Sequence, residues 1–164
     1  MDQLPQTSVP PVEFPRSTAN AKTDDKGRIK LAAEYVRYFE SLPEQSVFVT
    51  TLDRSIAEIF PIGLWRRMEE FFEQNESVPE IFMASKNAMR FGAVASVDGQ
   101  GRVGIPAELR KALKLDGQDL HIEPYRRSRL QIIPQPVFEE MEAKLATADP
   151  VKLNEVMRAA GLPK

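Results

Sequence analysis

Asp24-Asp25-Lys26-Gly27-Arg28-Ile29-Lys30-Leu31-Ala32-Ala33-Glu34 returns further along the chain as Asp98-Gly99-Gln100-Gly101-Arg102-Val103-Gly104-Ile105-Pro106-Ala107-Glu108. From Gly27 to Gly101 the offset is 74 residues. Asp, Gly, Arg, Ala and Glu recur unchanged, and both intervening apolar positions stay aliphatic. A second block matches with an offset of 73, from Arg54-Ser55 to Arg127-Ser128 and from Pro61 to Pro134. Beyond those prolines Leu64, Trp65, Met68, Glu69 and Phe72 align with Val137, Phe138, Met141, Glu142 and Leu145. Two stretches matching in the same order identify an internal duplication.

Each half then reads alike. A weakly apolar segment (18–23; 93–97) leads into a turn centred on Gly27 or Gly101, followed by a short strand (28–31; 102–105). One or two helical turns come next, with Tyr35, Tyr38 and Phe39 matching Leu109, Ala112 and Leu113 on one face. Two strands joined by a polar turn follow (46–52 with 55–60; 119–123 with 129–133). Pro61 and Pro134 are expected to end the ladder and open helices buried through residues 65, 68, 72 and 138, 141, 145. Ser77-Val78-Pro79-Glu80 reads as a capping box opening a helix that buries Ile81, Phe82, Ser85 and Met89. Asp149-Pro150 caps a last helix with a stripe of Leu153, Val156, Met157 and Ala160, closed by Gly161 and Pro163.

The expected organisation is a proline-rich disordered tail (1–15), a first half (16–76), a connecting helix (77–91), a second half (92–147) and a terminal helix (148–164). Short strands with brief helices between them make the class α+β. Neither half can bury much alone, so the two are expected to pair face to face about a pseudo-twofold axis.

Composition narrows the function classes. The 164 residues contain no cysteine, which excludes disulfide scaffolds and thiolate metal sites. No apolar run reaches the ~20 residues of a membrane span. The opening residues show neither a basic start nor an apolar stretch, so a secretory signal is not expected and a cytoplasmic location fits. The formal net charge is −2, so a nucleic-acid contact has to come from where basic residues sit.

The repeated turn supplies such a place. Glycine lets the backbone turn tightly and lets a nucleic-acid strand come close. Lys26, Arg28 and Lys30 alternate, so in a strand all three share one face, with Lys22 nearby. In the second copy Gln100 and Arg102 fill the first two positions and Gly104 leaves the third bare. Arginine can grip phosphate through two nitrogens or read guanine. Asp24 and Asp98, four residues before each arginine, fit as acceptors for local backbone N–H groups, organising the turns with Gly27 and Gly101. The plain alternative is a surface hairpin whose arginine pairs with that aspartate, an interaction worth little.

The twice-repeated signature Asp-x-x-Gly-Arg-x-x-apolar, continued by Ala-x-x or Pro-Ala, resembles the MraZ family of bacterial transcriptional regulators over roughly residues 16–146. Asp98, Gly101, Arg102, Ile105, Pro106 and Leu109-Arg110 carry the better match. The first half keeps Asp24, Lys26, Gly27 and Arg28 but shows Leu31-Ala32-Ala33 where the family usually has an apolar residue and Pro-Ala. The resemblance implies two tandem AbrB/SpoVT-like halves forming a pseudo-twofold, swapped-hairpin, double-ψ-type β-barrel with added helices. It implies a nucleoid-associated, homo-oligomeric ring that grips direct repeats in double-stranded DNA through the Gly-Arg loops. Neither a cofactor nor a small-molecule substrate is implied.

Other constellations are weak. Asp119, His121 and Glu123 alternate along one strand, yet this is the chain's one histidine, so a plain surface residue is expected and no metal site. Glu69, Glu70 and Glu73 read as a solvated helix face beside Arg66 and Arg67. Asp98-Gly99-Gln100-Gly101 lacks the Gly-Lys-Ser/Thr ending of a phosphate loop. No catalytic set can be assembled, so an enzyme is not expected. The alternative to a DNA-binding regulator is a protein-interaction module of the same fold, an antitoxin-like or scaffold protein that recruits a partner through its helices.

Overall fold

A computed structural model describes residues 12–163. The elements run β1 (Ala19–Ala21), β2 (Arg28–Lys30), α1 (Ala33–Glu40), β3 (Ser46–Thr50), β4 (Ala57–Pro61), α2 (Ile62–Gln74) and α3 (Pro79–Phe91). The second half repeats that order as β5 (Ala93–Ser96), β6 (Arg102–Gly104), α4 (Ala107–Leu113), β7 (Leu120–Tyr125), β8 (Arg129–Pro134), α5 (Gln135–Leu145) and α6 (Pro150–Ala159). The class is α+β.

The halves interleave where the sequence suggested two bodies meeting face to face. Six strands form one antiparallel sheet in the order β1-β7-β8-β4-β3-β5, and β2 pairs with β6 in a separate ribbon. Each half therefore lends its first strand to the other half's third. The registers obey the duplication: Ala19 faces Ile122 and Ala21 faces Leu120, just as Ala93 faces Val49 and Ala95 faces Val47. The two like-with-like pairings are centred on Ile29↔Val103 and on Glu58↔Gln131. Those centres mark a pseudo-twofold axis, because residues that pair across each are themselves repeat equivalents.

One continuous core results. Ile29, Leu31, Tyr35, Phe39, Val47 and Val49 are buried together with their counterparts Val103, Ile105, Leu109, Leu113, Leu120 and Ile122. The Tyr35 hydroxyl donates to the Ser17 carbonyl, with the Ile122 carbonyl 3.3 Å away. Burial, helped by the Glu34 and Glu123 carboxylates, pushes its phenol up to about 12, so it stays a donor. Near the centre of the β4–β8 pairing, Arg129 Nε donates to Glu58 Oε1 at 2.7 Å, with side chains 19% and 7% exposed. The Arg129 guanidinium also lies 4.7 Å from the Tyr125 ring centre and 5.1 Å from that of Phe60.

A smaller cluster, Phe60, Ile62, Trp65, Phe72 and Ala88, lies among β4, α2 and α3. Several local expectations change here. Pro61 and Pro134 remain paired in their strands, opposite Val47 and Leu120, instead of ending the ladder before them, while the helices begin directly after them at Ile62 and Gln135, as the sequence suggested. The capping box does not form: Val78 is the N-cap of α3 and makes no side-chain cap. With Pro79 at the first helical position, Ser77 stands one residue too early to reach the free N–H groups. The helix is also rotated from the expected stripe, since Ala88 is buried while Phe82 and Met89 are exposed. Asp149 does cap α6, accepting from the N–H groups of Val151 and Lys152.

Of the expected proline-rich tail, residues 1–11 lie outside the described residues. At its other end Phe14 meets the Tyr38 ring edge-on at 4.8 Å and Pro15 is buried. Among the described residues no helix is long and apolar enough to cross a membrane.

Candidate nucleic-acid interface

The two Gly-Arg turns meet at the β2–β6 ribbon. Arg28 faces Gly104, and Lys30 faces Arg102. Strand alternation sends Ile29 and Val103 inward, both fully buried, and turns Arg28, Lys30 and Arg102 to the opposite side. The two arginines are diagonal neighbours across the ribbon, with Cα atoms roughly 7–8 Å apart. Each turn also bonds to the other half: Leu31 N donates to Gly101 O at 2.8 Å, and Ile105 N to Gly27 O at 3.0 Å.

Each aspartate accepts hydrogen bonds from the backbone of its own turn. Asp24 Oδ1 accepts from the N–H groups of Lys26 and Arg28, each at 2.9 Å. Asp98 Oδ1 accepts from Gln100 at 2.8 Å and Arg102 at 2.9 Å. The Arg28 backbone N–H is the main force holding the Asp24 carboxyl below its usual range; partial desolvation opposes it, and the Arg28 guanidinium and Lys26 N–H assist. Asp98 is lowered in the same way, chiefly by the Arg102 N–H against desolvation, with help from the Gln100 N–H and the Arg102 guanidinium. Both carboxylates are therefore charged at neutral pH.

The arginines pair with these carboxylates as well. Arg28 Nε–Asp24 Oδ2 and Arg102 Nε–Asp98 Oδ2 are each 2.9 Å. The sequence left phosphate grip and aspartate pairing as alternatives, and the geometry accommodates both. Aspartate takes the Nε edge, and among the described residues the terminal nitrogens donate to no protein acceptor. Each guanidinium is thus held in orientation with its outer nitrogens unused.

The remaining basic residues are less concentrated than the alternation suggested. Lys26 lies in the turn before β2, so only Arg28 and Lys30 share the strand face. Gln100 holds the equivalent turn position and is exposed. Lys22 is drawn aside, its ammonium 3.5 Å from Asp119. His121 is half-buried and not a plain surface residue: its ring stacks on Phe138 at 3.5 Å and its Nε2 lies 2.6 Å from Gln135 Oε1.

Sequence reasoning assigned no role to Arg110. This side chain donates from Nε to Ile105 O at 3.1 Å and from Nη1 to Asp116 Oδ2 at 2.8 Å. Thr23 of the first half donates to the other oxygen of Asp116, also at 2.8 Å. The guanidinium lies over the Gly27 turn so closely that a Cβ on Gly27 would come within 2.3 Å of Arg110 Cζ. At the equivalent place Val36 lies over Gly101, 3.0 Å from such a Cβ. The signal was a mismatch between copies, Val36 against Arg110, and its meaning needed the interleaved fold.

That mismatch makes equivalent substitutions unequal. Both glycines have φ near +75° (74° and 77°), where alanine costs about 1–2 kcal/mol. Gly101→Ala is expected to lose about that much in denaturant melts. Gly27→Ala must also displace Arg110 and is expected to lose about 3 kcal/mol. In an Arg110→Ala background the difference should vanish; equal losses in the parent chain would remove Arg110 from this role.

No protein-family model matches the chain. It is 30% identical over 139 residues to the transcriptional regulator MraZ of Acidobacterium capsulatum, covering 82% of this chain and 92% of the relative. Against the Koribacter versatilis protein of the same name identity is 32% over 105 residues, 63% of this chain and 71% of the relative. Against that of Moorella thermoacetica it is 29% over 130 residues, 73% and 86% respectively.

Proposed function

Because the chain belongs to the MraZ family of transcriptional regulators, we propose that it regulates transcription by binding double-stranded DNA through the β2–β6 ribbon. One observation carries this reading: two aspartate-oriented arginines flank a pseudo-twofold axis on one outward face, with Lys30 on the Arg28 strand directly opposite Arg102. A two-stranded ribbon is narrow enough for the major groove, and arginine there holds phosphate or the guanine edge. Asp24 and Asp98 hold the guanidinium planes so that less side-chain freedom is lost on binding. Arg28, Lys30 and Arg102 make the charge-bearing contacts, Lys26 and Gln100 flank them from the turns, and Lys22 takes part on leaving Asp119.

In this reading the sheet and ribbon close into the swapped-hairpin, double-ψ barrel of the AbrB/SpoVT type, and the cytoplasmic protein works at the nucleoid as a homo-oligomeric ring. One ribbon offers few phosphate contacts. A ring presenting several ribbons to direct repeats raises affinity through effective concentration, which also offsets the net charge of −2.

Gel shifts with duplex DNA from upstream of the chain's own gene, at two salt concentrations, test the reading. Arg28→Ala with Arg102→Ala is expected to weaken binding to all sequences and to flatten the salt dependence by about 0.9 per phosphate contact removed. Unchanged affinity in the double variant would remove the ribbon from DNA binding. Capture of a stoichiometric protein partner by a chain that retains no DNA at low salt would favour the interaction-module reading.

A further inference from the structure

The duplication provides a template for what is missing in the second half. Four residues separate α2 from α3, and four separate α5 from α6, so α6 is the repeat equivalent of α3. The inward positions of α3, Ile81, Ala84, Ser85 and Ala88, match Leu153, Val156 and Met157 of α6 and its C-cap Ala160 at a constant offset of 72 (81 to 153). Yet only α3 is seated. It is tied to β3 by Thr50 Oγ1 donating to Ala88 O at 2.9 Å, and to the following turn by Asn87 Nδ2 donating to Leu52 O at 2.9 Å. Among the described residues α6 buries no side chain and joins neither core cluster, leaving Leu153 54% and Val156 58% exposed.

The seat on the second half is correspondingly open. Phe48 stacks on Trp65 at 4.4 Å beneath α3; its equivalent His121 stacks on Phe138 at 3.5 Å, and among the described residues α6 buries no side chain over that pair. Phe72 is 6% exposed, whereas its equivalent Leu145 is 65% exposed. Half of a two-part apolar fit is thus present on α5 and β7, and the other half stands free on α6.

We propose that α6 of a second copy of this chain fills the α5–β7 face, in the place α3 holds on α2 and β3. Two observations favour a second copy over the chain's own helix. First, the connection is fixed in a direction that leaves α6 unseated: Ala146 N donates to Glu142 O at 3.0 Å, Thr147 Oγ1 to Lys144 O at 2.7 Å, and Asp149 caps the new helix. Second, the exposed rim of the seat carries Glu139, Glu140 and Glu142 against Lys144 and is acidic, while α6 carries Lys152 and Arg158 against Glu155 and is basic. This opposition of charge steers association between molecules. Reciprocal exchange gives a closed pair, and stepwise donation around an axis gives a ring. The inference supplies a contact for the self-association proposed above and rests on that part of the reading.

A chain without cysteine allows a direct test. Full-length Leu145→Cys and Leu153→Cys variants, differing in tag length, are mixed and oxidised. A disulfide-linked heterodimer is expected, because these positions are the equivalents of Phe72 and Ile81, which lie in one cluster. Leu153→Glu with Val156→Glu should lower the assembly state in light scattering at unchanged helix content, since neither residue is buried in the single chain. A disulfide formed only within a Leu145→Cys/Leu153→Cys chain would overturn the proposal, as would a link from Leu153→Cys to Met89→Cys in the groove between α2 and α3. An unaltered oligomer in the glutamate variant, with no cross-link, would sink this contact and leave self-association standing. A parent chain that is monomeric at every concentration would sink both, while the gel shift still reports on the ribbon.

Discussion

Arg129→Met is expected to lower stability by about 3–5 kcal/mol and the melting midpoint by roughly 10 °C. The cause is the acid left behind. Glu58 is one of few buried polar residues among the described side chains, and its Oε1 accepts from Arg129 Nε at 2.7 Å and from Gln131 Nε2 at 3.5 Å. Removing the arginine strands a carboxylate near the centre of the β4–β8 pairing, where the halves join. Methionine keeps most of the aliphatic bulk, so packing alone predicts a small loss. Adding Glu58→Gln should restore most of the stability, because an amide tolerates the same site without a charge. Thermal melts of the parent, both single variants and the double variant check this. A loss below about 1 kcal/mol in Arg129→Met would mean that the pair behaves as an exposed one.

Trp65→Ala is expected to cost about 3–5 kcal/mol, and the equivalent Phe138→Ala only about 1–2 kcal/mol in the isolated chain. Trp65 is buried between the Phe48, Phe60 and Phe72 rings, at 4.4, 5.0 and 5.9 Å. Phe138 is half-buried and touches one ring, that of His121. Denaturant melts run below and above the concentration of self-association separate two cases. If α6 of a neighbour covers Phe138, the cost of Phe138→Ala should rise with concentration while that of Trp65→Ala does not.

The sequence alone determined the duplication, the faces of the short strands and the turns. Asp24 and Asp98 bond within their own turns, because a short side chain can reach only local N–H groups. Alternation likewise made Ile29 and Val103 core residues. The resemblance to one family was legible for the same reason: its signature lies in contiguous turns.

Tertiary structure decided which copy each strand joins. Because the halves carry the same pattern, β1 has no local reason to prefer β7 over its own β3, and that choice belongs to the closure of the whole sheet. Arg28 and Arg102 share one ribbon only as a consequence of that exchange, and Arg110 reaches Gly27 across it. The helices show the same division. Periodicity named a stripe on both α3 and α6 but erred on the face of α3, where exposed Phe82 and Met89 gave way to Ala88. A small residue allows the close approach to β3 that the bulky pair would block. Local spacing therefore set what each segment is, and long-range packing set what it lies against.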